Sequence, residues 1–244
     1  MTTTDVQIKS ELKEMYDQLA ADYDAIYRTP AGEYFMHRKI DTMLELAAFP
    51  QSGHLLEVGC ANGVYTFELA RLGFQMTGLD LSPECVHTAT QMAKQLGLKG
   101  VDFTVGDAEA LSRFEDSTFD GAVSFSALRY VPNPAKAICE IYRVLRPNGW
   151  AVVDFPNKRS PWFNLLKPLL TGQTHIHDHQ YTTGQVRHML QAAGFRQVSV
   201  RRILYTPKTI PSWVLPVMRV VDYVGERTPG LSQLASIIMV GGRK

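Results

Sequence analysis

Cysteine is scarce in these 244 residues: Cys60, Cys85 and Cys139 stand far apart, and none forms a CxxC pair. An odd, scattered set argues against a disulfide scaffold or a zinc site and fits a reducing, cytoplasmic compartment. Excess charge of one sign is also missing, with 25 Lys+Arg against 24 Asp+Glu and a formal net charge of +1. That balance disfavours a dedicated nucleic-acid binder. No run of about 18 apolar residues occurs, so no membrane-spanning helix is expected. Met1-Thr2-Thr3-Thr4-Asp5 has neither the basic start nor the apolar stretch of a secretory leader. Internal repeats and low-complexity segments are absent as well. What is present is an ordinary globular composition, 45% hydrophobic and 20% charged, at a length that suits one large α/β domain.

The balanced total hides a split. Residues 151–244 hold 12 of the 25 basic and 4 of the 24 acidic residues, which leaves 13 and 20 for the first 150. The first part is thus about −7 and the second about +8 by formal counting.

The hydrophobic rhythm predicts a helical N-terminal segment over Ser10–Tyr27 and a second helix over Glu33–Ala48, stopped by Pro50 and Ser52-Gly53. Strands and helices then alternate. Strands are predicted over His54–Gly59, Gln75–Asp80, Val101–Val105, Phe119–Phe125 and Trp150–Phe155. Helices are predicted over Tyr65–Leu72, Pro83–Leu96 and Pro134–Leu145, with Ser82 as N-cap before Pro83. After a proline-rich insert, Thr183–Ala193 reads as a helix, Arg196–Leu204 as a strand and Ser236–Gly241 as a last strand. The alternation implies a Rossmann-like α/β fold, a mostly parallel sheet with helices on both faces. The expected division of the single domain is an N-terminal helical cap (1–50), a ligand-binding core (51–155) and two inserts (156–182 and 205–235) placed as substrate lids.

Three strand ends carry the chemistry. Glu57-Val58-Gly59-Cys60-Ala61-Asn62-Gly63 joins a buried strand to a helix, and its glycines allow a tight turn with close backbone approach to a ligand. A pyrophosphate-binding loop would carry G-x-G-x-x-G; here Ala61 stands at the second glycine, and Glu57 brings an acid better suited to an ammonium group than to a phosphate. Asp80 ends the second strand about twenty residues on, where a carboxylate can accept from ribose hydroxyls. Gly106-Asp107-Ala108 ends the third, within reach of a base amine. Gly59 and Gly63 read alone could be turn glycines, and Asp80 alone a helix N-terminal charge; the ordered set favours one nucleoside site.

This set resembles the class I S-adenosylmethionine-dependent methyltransferases, of the small-molecule type that includes quinone- and lipid-modifying enzymes. Phe119-Asp120, Leu145-Arg146-Pro147-Asn148-Gly149 and Ala193-Gly194-Phe195 extend the likeness, which spans roughly residues 50–203 and the last strand. The resemblance implies seven strands with the last antiparallel, and S-adenosyl-L-methionine as cofactor. It implies that Glu57, Gly59, Cys60, Ala61 and Gly63 hold the methionine part, Asp80 the ribose, and Asp107 with Ala108 the adenine. Leu81, Ser124, Tyr16 and Tyr23 join as further contacts, the two tyrosines from a closing N-terminal helix.

The acceptor side is less marked. The loop Ser124-Phe125-Ser126-Ala127-Leu128-Arg129-Tyr130 lacks the Asn/Asp-Pro-Pro-aromatic motif of enzymes that methylate nucleic-acid amines or glutamine. Arg129 and Tyr130 are candidates there, Arg129 for an acceptor carboxylate or phosphate or as a plain surface arginine. His175, His177 and His179, in His175-Ile176-His177-Asp178-His179, are candidate bases, His177 and His179 foremost, since imidazole is partly neutral near pH 7; the alternatives are a metal site made by their spacing of two and a structural role for His179. A metal is not required. The segment Trp213–Val224 is strongly apolar, and its plain reading is a core-packing lid helix; an acceptor wall, a homodimer face or a membrane contact are the alternatives. The expected function is methyl transfer to a small, largely apolar acceptor, at oxygen or carbon rather than nitrogen. Its alternative is a non-catalytic cofactor-binding regulator. The basic second part suggests an acceptor with an anionic or lipid-like group, in a monomer or homodimer.

Overall fold

Helix starts along this chain are written by side-chain caps followed by proline. Thr29, Ser82 and Asn133 each accept a backbone N–H three residues on, and Pro30, Pro83 and Pro134 occupy the first turn. The computed structural model describes residues 3–166 and 179–244. Its elements are α1 (Thr3–Leu19), a short 3₁₀ turn (Ala25–Arg28), α2 (Pro30–Leu46), β1 (His54–Val58), α3 (Val64–Arg71), β2 (Gln75–Asp80), α4 (Pro83–Gln95), β3 (Val101–Val105), β4 (Phe119–Ser124), α5 (Pro134–Val144), β5 (Leu145–Pro156), a π turn (Trp162–Leu166), α6 (Thr183–Ala192), β6 (Arg196–Ile203), α7 (Leu215–Arg227), a second 3₁₀ turn (Leu231–Leu234) and β7 (Ile237–Arg243).

Seven strands form one sheet in the order β3-β2-β1-β4-β5-β7-β6. Strands β1 to β5 run parallel, and β7 lies antiparallel between β5 and β6. This is the Rossmann-like methyltransferase sheet that the strand–helix rhythm and the resemblance imply. From β1 the order runs outward to β3 on one side and through β4 to β6 on the other. A crevice therefore opens at the carboxyl ends of β1 and β4. One apolar core, with Leu56, Ile138, Ile141, Phe155, Val186 and Leu190, fills one face; another, with Phe35, Met43, Leu55, Leu69 and Met239, fills the other.

Strands β2 and β3 fall where the alternation places them. Three elements differ from expectation. The N-terminal helix is already formed at Thr3 and ends at Leu19, and its Lys9 pairs with Asp107 and Glu109 across the crevice. The second helix begins at Pro30, because Thr29 caps it. Strand β5 begins at Leu145, directly after α5, with a register shift where Phe119 and Gly121 pair across to Leu145 and Trp150. Most of the insert 156–182 lies outside the described residues.

The helix expected to pack its apolar stripe into the core does the opposite. In α7 the inward residues are Leu215, Asp222 and Gly225, and most of the valines face solvent. The reason lies beneath it: the chain leaving β6 offers bare backbone N–H groups, which only polar side chains can satisfy. Asp222 accepts from the N–H groups of Tyr205 (2.5 Å) and Thr206 (3.1 Å) and from Thr206 Oγ1 (2.5 Å), and Glu226 accepts from Leu204 N–H at 2.9 Å.

Candidate active site

The loop after β1 turns sharply at Gly59, whose φ is +78°. A Cβ there would sit 2.1 Å from the Ala127 methyl, so no larger residue fits without moving the loop after β4. Ala61, at the place of the second glycine, also takes a left-handed conformation with φ +44°, at a steric cost of about 1–2 kcal/mol for an L-residue. Its N–H offsets this by donating to Asp80 Oδ2 at 2.8 Å. Asp80 is buried at the end of β2, and its Oδ1 accepts from Ser82 N–H at 3.0 Å. Burial pushes the Asp80 carboxyl up, while the backbone donors hold it down. Both oxygens are thus fixed in place with lone pairs left for a ligand.

A cavity opens beside them. It is lined by Tyr16, Tyr23, Gly59, Ala61, Asp80, Leu81, Asp107, Ala108 and Tyr130, so nine of the expected site residues meet in one place. Lys9, Leu12, Lys13, Ser82, Phe125 and Ser126 also line it and were not anticipated. The signal for the first three was their spacing, since residues 9, 12, 13 and 16 share one helix face.

Helix α1 closes the cavity and is fastened to the same loops that form it. Lys9 Nζ donates to Asp107 Oδ2 at 2.6 Å and to Glu109 Oε2 at 2.8 Å. Burial works against this ammonium, but the two carboxylates outweigh it and raise its pKa. Ser82 Oγ donates to Asp17 Oδ1 at 2.5 Å, and Asn62 Nδ2 to the Ala20 carbonyl at 2.6 Å. Tyr16 packs between Tyr23, at 5.8 Å between ring centroids, and Tyr130, at 6.3 Å. Burial pushes both the Tyr16 and Tyr23 hydroxyls well above the usual range.

Other expected residues lie behind the cavity wall. Glu57 is buried and accepts a short hydrogen bond from Thr66 Oγ1, and burial pushes its carboxyl up to about 8. Cys60 is buried, with its Sγ 3.6 Å from the Ala61 carbonyl. Gly63 is the N-cap of α3, and Ser124 Oγ donates to the Val58 carbonyl at 2.8 Å. These four shape the loop from behind rather than line the space.

Beneath the loop after β4 sits a group that sequence reading missed. Lys39, from α2, is wholly buried; it pairs with Asp154 at the end of β5 and donates to Ser126 Oγ at 2.6 Å. Asp154 Oδ1 accepts from Ser126 N–H at 2.5 Å. Ser126 itself has φ +60°, a strained value that these bonds hold in place. The ammonium lies over Phe35, at 5.1 Å from its centroid, and near the rings of Tyr65 and Phe125. Burial lowers the Lys39 pKa, against the pull of Asp154. A lysine in a helical segment gives no sign of such a partner.

On the acceptor side, Arg129 is buried between the rings of Tyr130 (5.3 Å) and Phe163 (5.1 Å), so it is no surface arginine. Its carbonyl accepts from His179 N–H at 3.2 Å. His179 is exposed. His175, His177 and Asp178 lie outside the described residues. Among the described residues no cluster of three or more His, Cys, Asp or Glu could hold a metal ion, and no helix is long and apolar enough to cross a membrane.

The donor set suits a nucleoside: the Asp80 carboxylate stands among apolar and aromatic walls, with Asp107, paired to Lys9, on the same cavity. A methyltransferase-domain family model matches residues 56–153. The chain is 30% identical over 175 residues to a ubiquinone biosynthesis O-methyltransferase of Xanthomonas euvesicatoria pv. vesicatoria, covering 69% of this chain and 71% of that one. Among solved structures, an S-adenosylmethionine-dependent methyltransferase of Thermotoga maritima, described as a possible histamine N-methyltransferase, superposes with a TM-score of 0.70 at 18% identity, covering 95% of this chain and 99% of that one. The cyclase SpnF superposes with a TM-score of 0.69 at 23% identity, covering 96% of this chain and 94% of that one.

Proposed function

We propose that this chain, which belongs to the class I S-adenosylmethionine-dependent methyltransferases, methylates an oxygen of a small, largely apolar acceptor. S-adenosyl-L-methionine is the cofactor, and when bound it supplies an activated methyl on a cationic sulfur. The observation that carries the reading is the cavity where Asp80, Asp107 and the Gly59 turn converge under α1. Asp80 would hold the ribose hydroxyls and Asp107 with Ala108 the adenine. Gly59 and Ala61 would bring backbone close to the methionine part.

The protein's own contribution is then orientation and exclusion of water. Phe125, Ser126 and Tyr130 form the wall nearest the loop after β4, and Lys39 with Asp154 keeps that wall in one shape. Holding donor and acceptor in line accounts for much of the acceleration such a reaction needs. Of the acceptor-side candidates among the described residues, Arg129, Tyr130 and His179, Tyr130 lines the cavity, and we assign it to acceptor contact. Arg129 positions Tyr130 and Phe163 through its stacked guanidinium. His177 and His179 stay candidate bases for an acceptor hydroxyl. The inserts 156–182 and 205–235 are read as the acceptor's borders. Oxygen as the accepting atom rests on the O-methyltransferase relatives and on the absence of the amine-methylating motif. The three free cysteines fit a cytoplasmic setting. An anionic group on the acceptor is suggested by the basic C-terminal part.

Titration calorimetry with S-adenosylmethionine and with its demethylated product tests the reading. The native chain is expected to bind both, and Asp80→Ala to weaken binding by about a hundredfold, the loss of two charge-assisted hydrogen bonds. Gly59→Arg should abolish binding. Incubation with apolar phenols and quinols should then give a product heavier by one CH₂. A native chain that binds neither ligand would end the proposal.

A further inference from the structure

Helix α7 is amphipathic in the wrong sense for a helix of a free-standing protein. Its inward side is Leu215, Asp222, Gly225 and Glu226, and Gly225 is required there because a Cβ would meet the Tyr205 ring at 2.5 Å. Its outward side is a stripe of apolar residues at helical spacing. Trp213 just before the helix is 81% exposed, Val217 64%, Val220 61% and Val224 50%. Tyr223 and Val221 widen the stripe. Solvent-facing valines are poor helix formers, so helix stability gives no reason for them. Polar inward contacts hold the helix in this orientation, as Asp222 and Glu226 are both taken up by the chain leaving β6.

Charge decides what covers the stripe. Residues 205–235 contain two acidic side chains, Asp222 and Glu226, and both point inward. Arg227 is exposed at the edge of the stripe, whereas Arg219 shares the side of Leu215, Asp222 and Glu226 and lies over the Tyr34 ring at 5.2 Å from its centroid. Alongside runs a groove lined by Arg201, Arg202 and Arg227, in which the carboxylates Glu45 and Glu226 already face Arg201 and Arg38. An apolar stripe edged by arginine, with Trp213 and Tyr223 exposed, has the composition of a helix that lies in an interface of anionic lipid. A second copy is a poorer match, since a two-fold pairing of this face would bring its arginines together.

We propose that α7 docks the protein on an anionic membrane surface, with Trp213, Val217, Val220 and Val224 entering the lipid and Arg227 meeting its phosphates. The helix follows the carboxyl end of β6, which runs parallel to β5, so it lies toward the edge of the sheet where the crevice opens. Docking there would let an apolar acceptor pass from lipid to the site. That consequence rests on the methyltransferase reading; the docking itself does not.

The test is co-sedimentation of the full chain with vesicles of phosphatidylcholine alone and of phosphatidylcholine mixed with phosphatidylglycerol. The native chain is expected to sediment with the anionic vesicles and far less with the neutral ones, and added salt should weaken it. The triple variant Val217→Ser, Val220→Ser, Val224→Ser should lose partitioning by about tenfold or more. Arg227→Gln should weaken the preference for anionic lipid. Calorimetric affinity for S-adenosylmethionine, equal in native and variant chains, shows that the variants are folded; Val220→Asp alone serves if the triple variant is not. A native chain that stays in solution with both vesicles overturns the proposal, as does a serine variant that sediments like the native chain. A native dimer that the serine variant dissociates, with no vesicle binding by either, would make the stripe a contact between copies and equally overturn it. Failure of cofactor binding would be read in the calorimeter, apart from these outcomes.

Discussion

The two accessory helices α1 and α7 both lie over the chain's sheet core, and they use their polar side chains to opposite ends. In α1 the polar groups Lys9 and Asp17 reach the loops around the cavity, and Leu12 is buried. The helix is thereby part of the site. In α7 the polar groups Asp222 and Glu226 are taken up by backbone N–H groups, and the apolar side faces out. The helix is thereby firmly held yet presents a surface that seeks another partner. The difference teaches that a helix buries whatever the ground beneath it demands. Under α1 that ground carries carboxylates and an apolar cavity mouth; under α7 it carries unpaired amides.

The comparison can be broken from either side. The largest effect is expected below the α1 side, at Lys39. Lys39→Met strands the buried Asp154 carboxylate, and removal of one member of a buried pair costs about 3–5 kcal/mol. Denaturant unfolding should show that loss, and the Asn variant at Asp154 added to it should recover part of it, because the stranded charge is gone. If Lys39→Met is neutral, the pair does not organise the cavity floor.

On the α7 side, Asp222→Ala leaves the N–H groups of Tyr205 and Thr206 without their acceptor. The expected cost is about 1–3 kcal/mol, seen as faster amide exchange in α7, with cofactor affinity unchanged. An equal rise in exchange across α1 would mean the two helices are not independent.

Per pH unit the smallest effect is a pH dependence seated at Glu57. Its carboxyl titrates near 4.5 in the open chain and near 8 when buried. Between these values the folded state holds a proton that the unfolded state has lost, so stability falls as pH rises from about 4.5 toward 8. One such proton sets a limiting slope of about 1.4 kcal/mol per pH unit. Glu57→Gln should flatten that slope while keeping the Thr66 hydrogen bond, as read from unfolding midpoints across the window. No change in slope would place the titration elsewhere.

Much of the cavity was legible in the sequence because its residues stand at strand ends. Gly59, Ala61, Asp80, Asp107 and Ala108 are marked by the alternation itself, and the topology brings all such ends to one edge. Lys9 was not legible, since it meets Asp107 from 98 positions away. Lys39 was not, because nothing in a helical run tells that its ammonium will be sealed under Ser126. Glu57 stands at a strand end where a ligand-facing acid is expected; its burial against Thr66 of α3 is a tertiary contact that strand periodicity does not report.

By itself, then, the sequence determined the parallel sheet, the glycine turn, the carboxylates at the ends of β2 and β3 and the helix caps, because each follows from local periodicity or from a single residue's backbone preference. The tertiary structure alone decided which way α7 faces, which two carboxylates hold Lys9 and which one closes over Lys39. Periodicity reports that a helix has two sides. It does not report what lies opposite each one, and burial free energy depends on that neighbour.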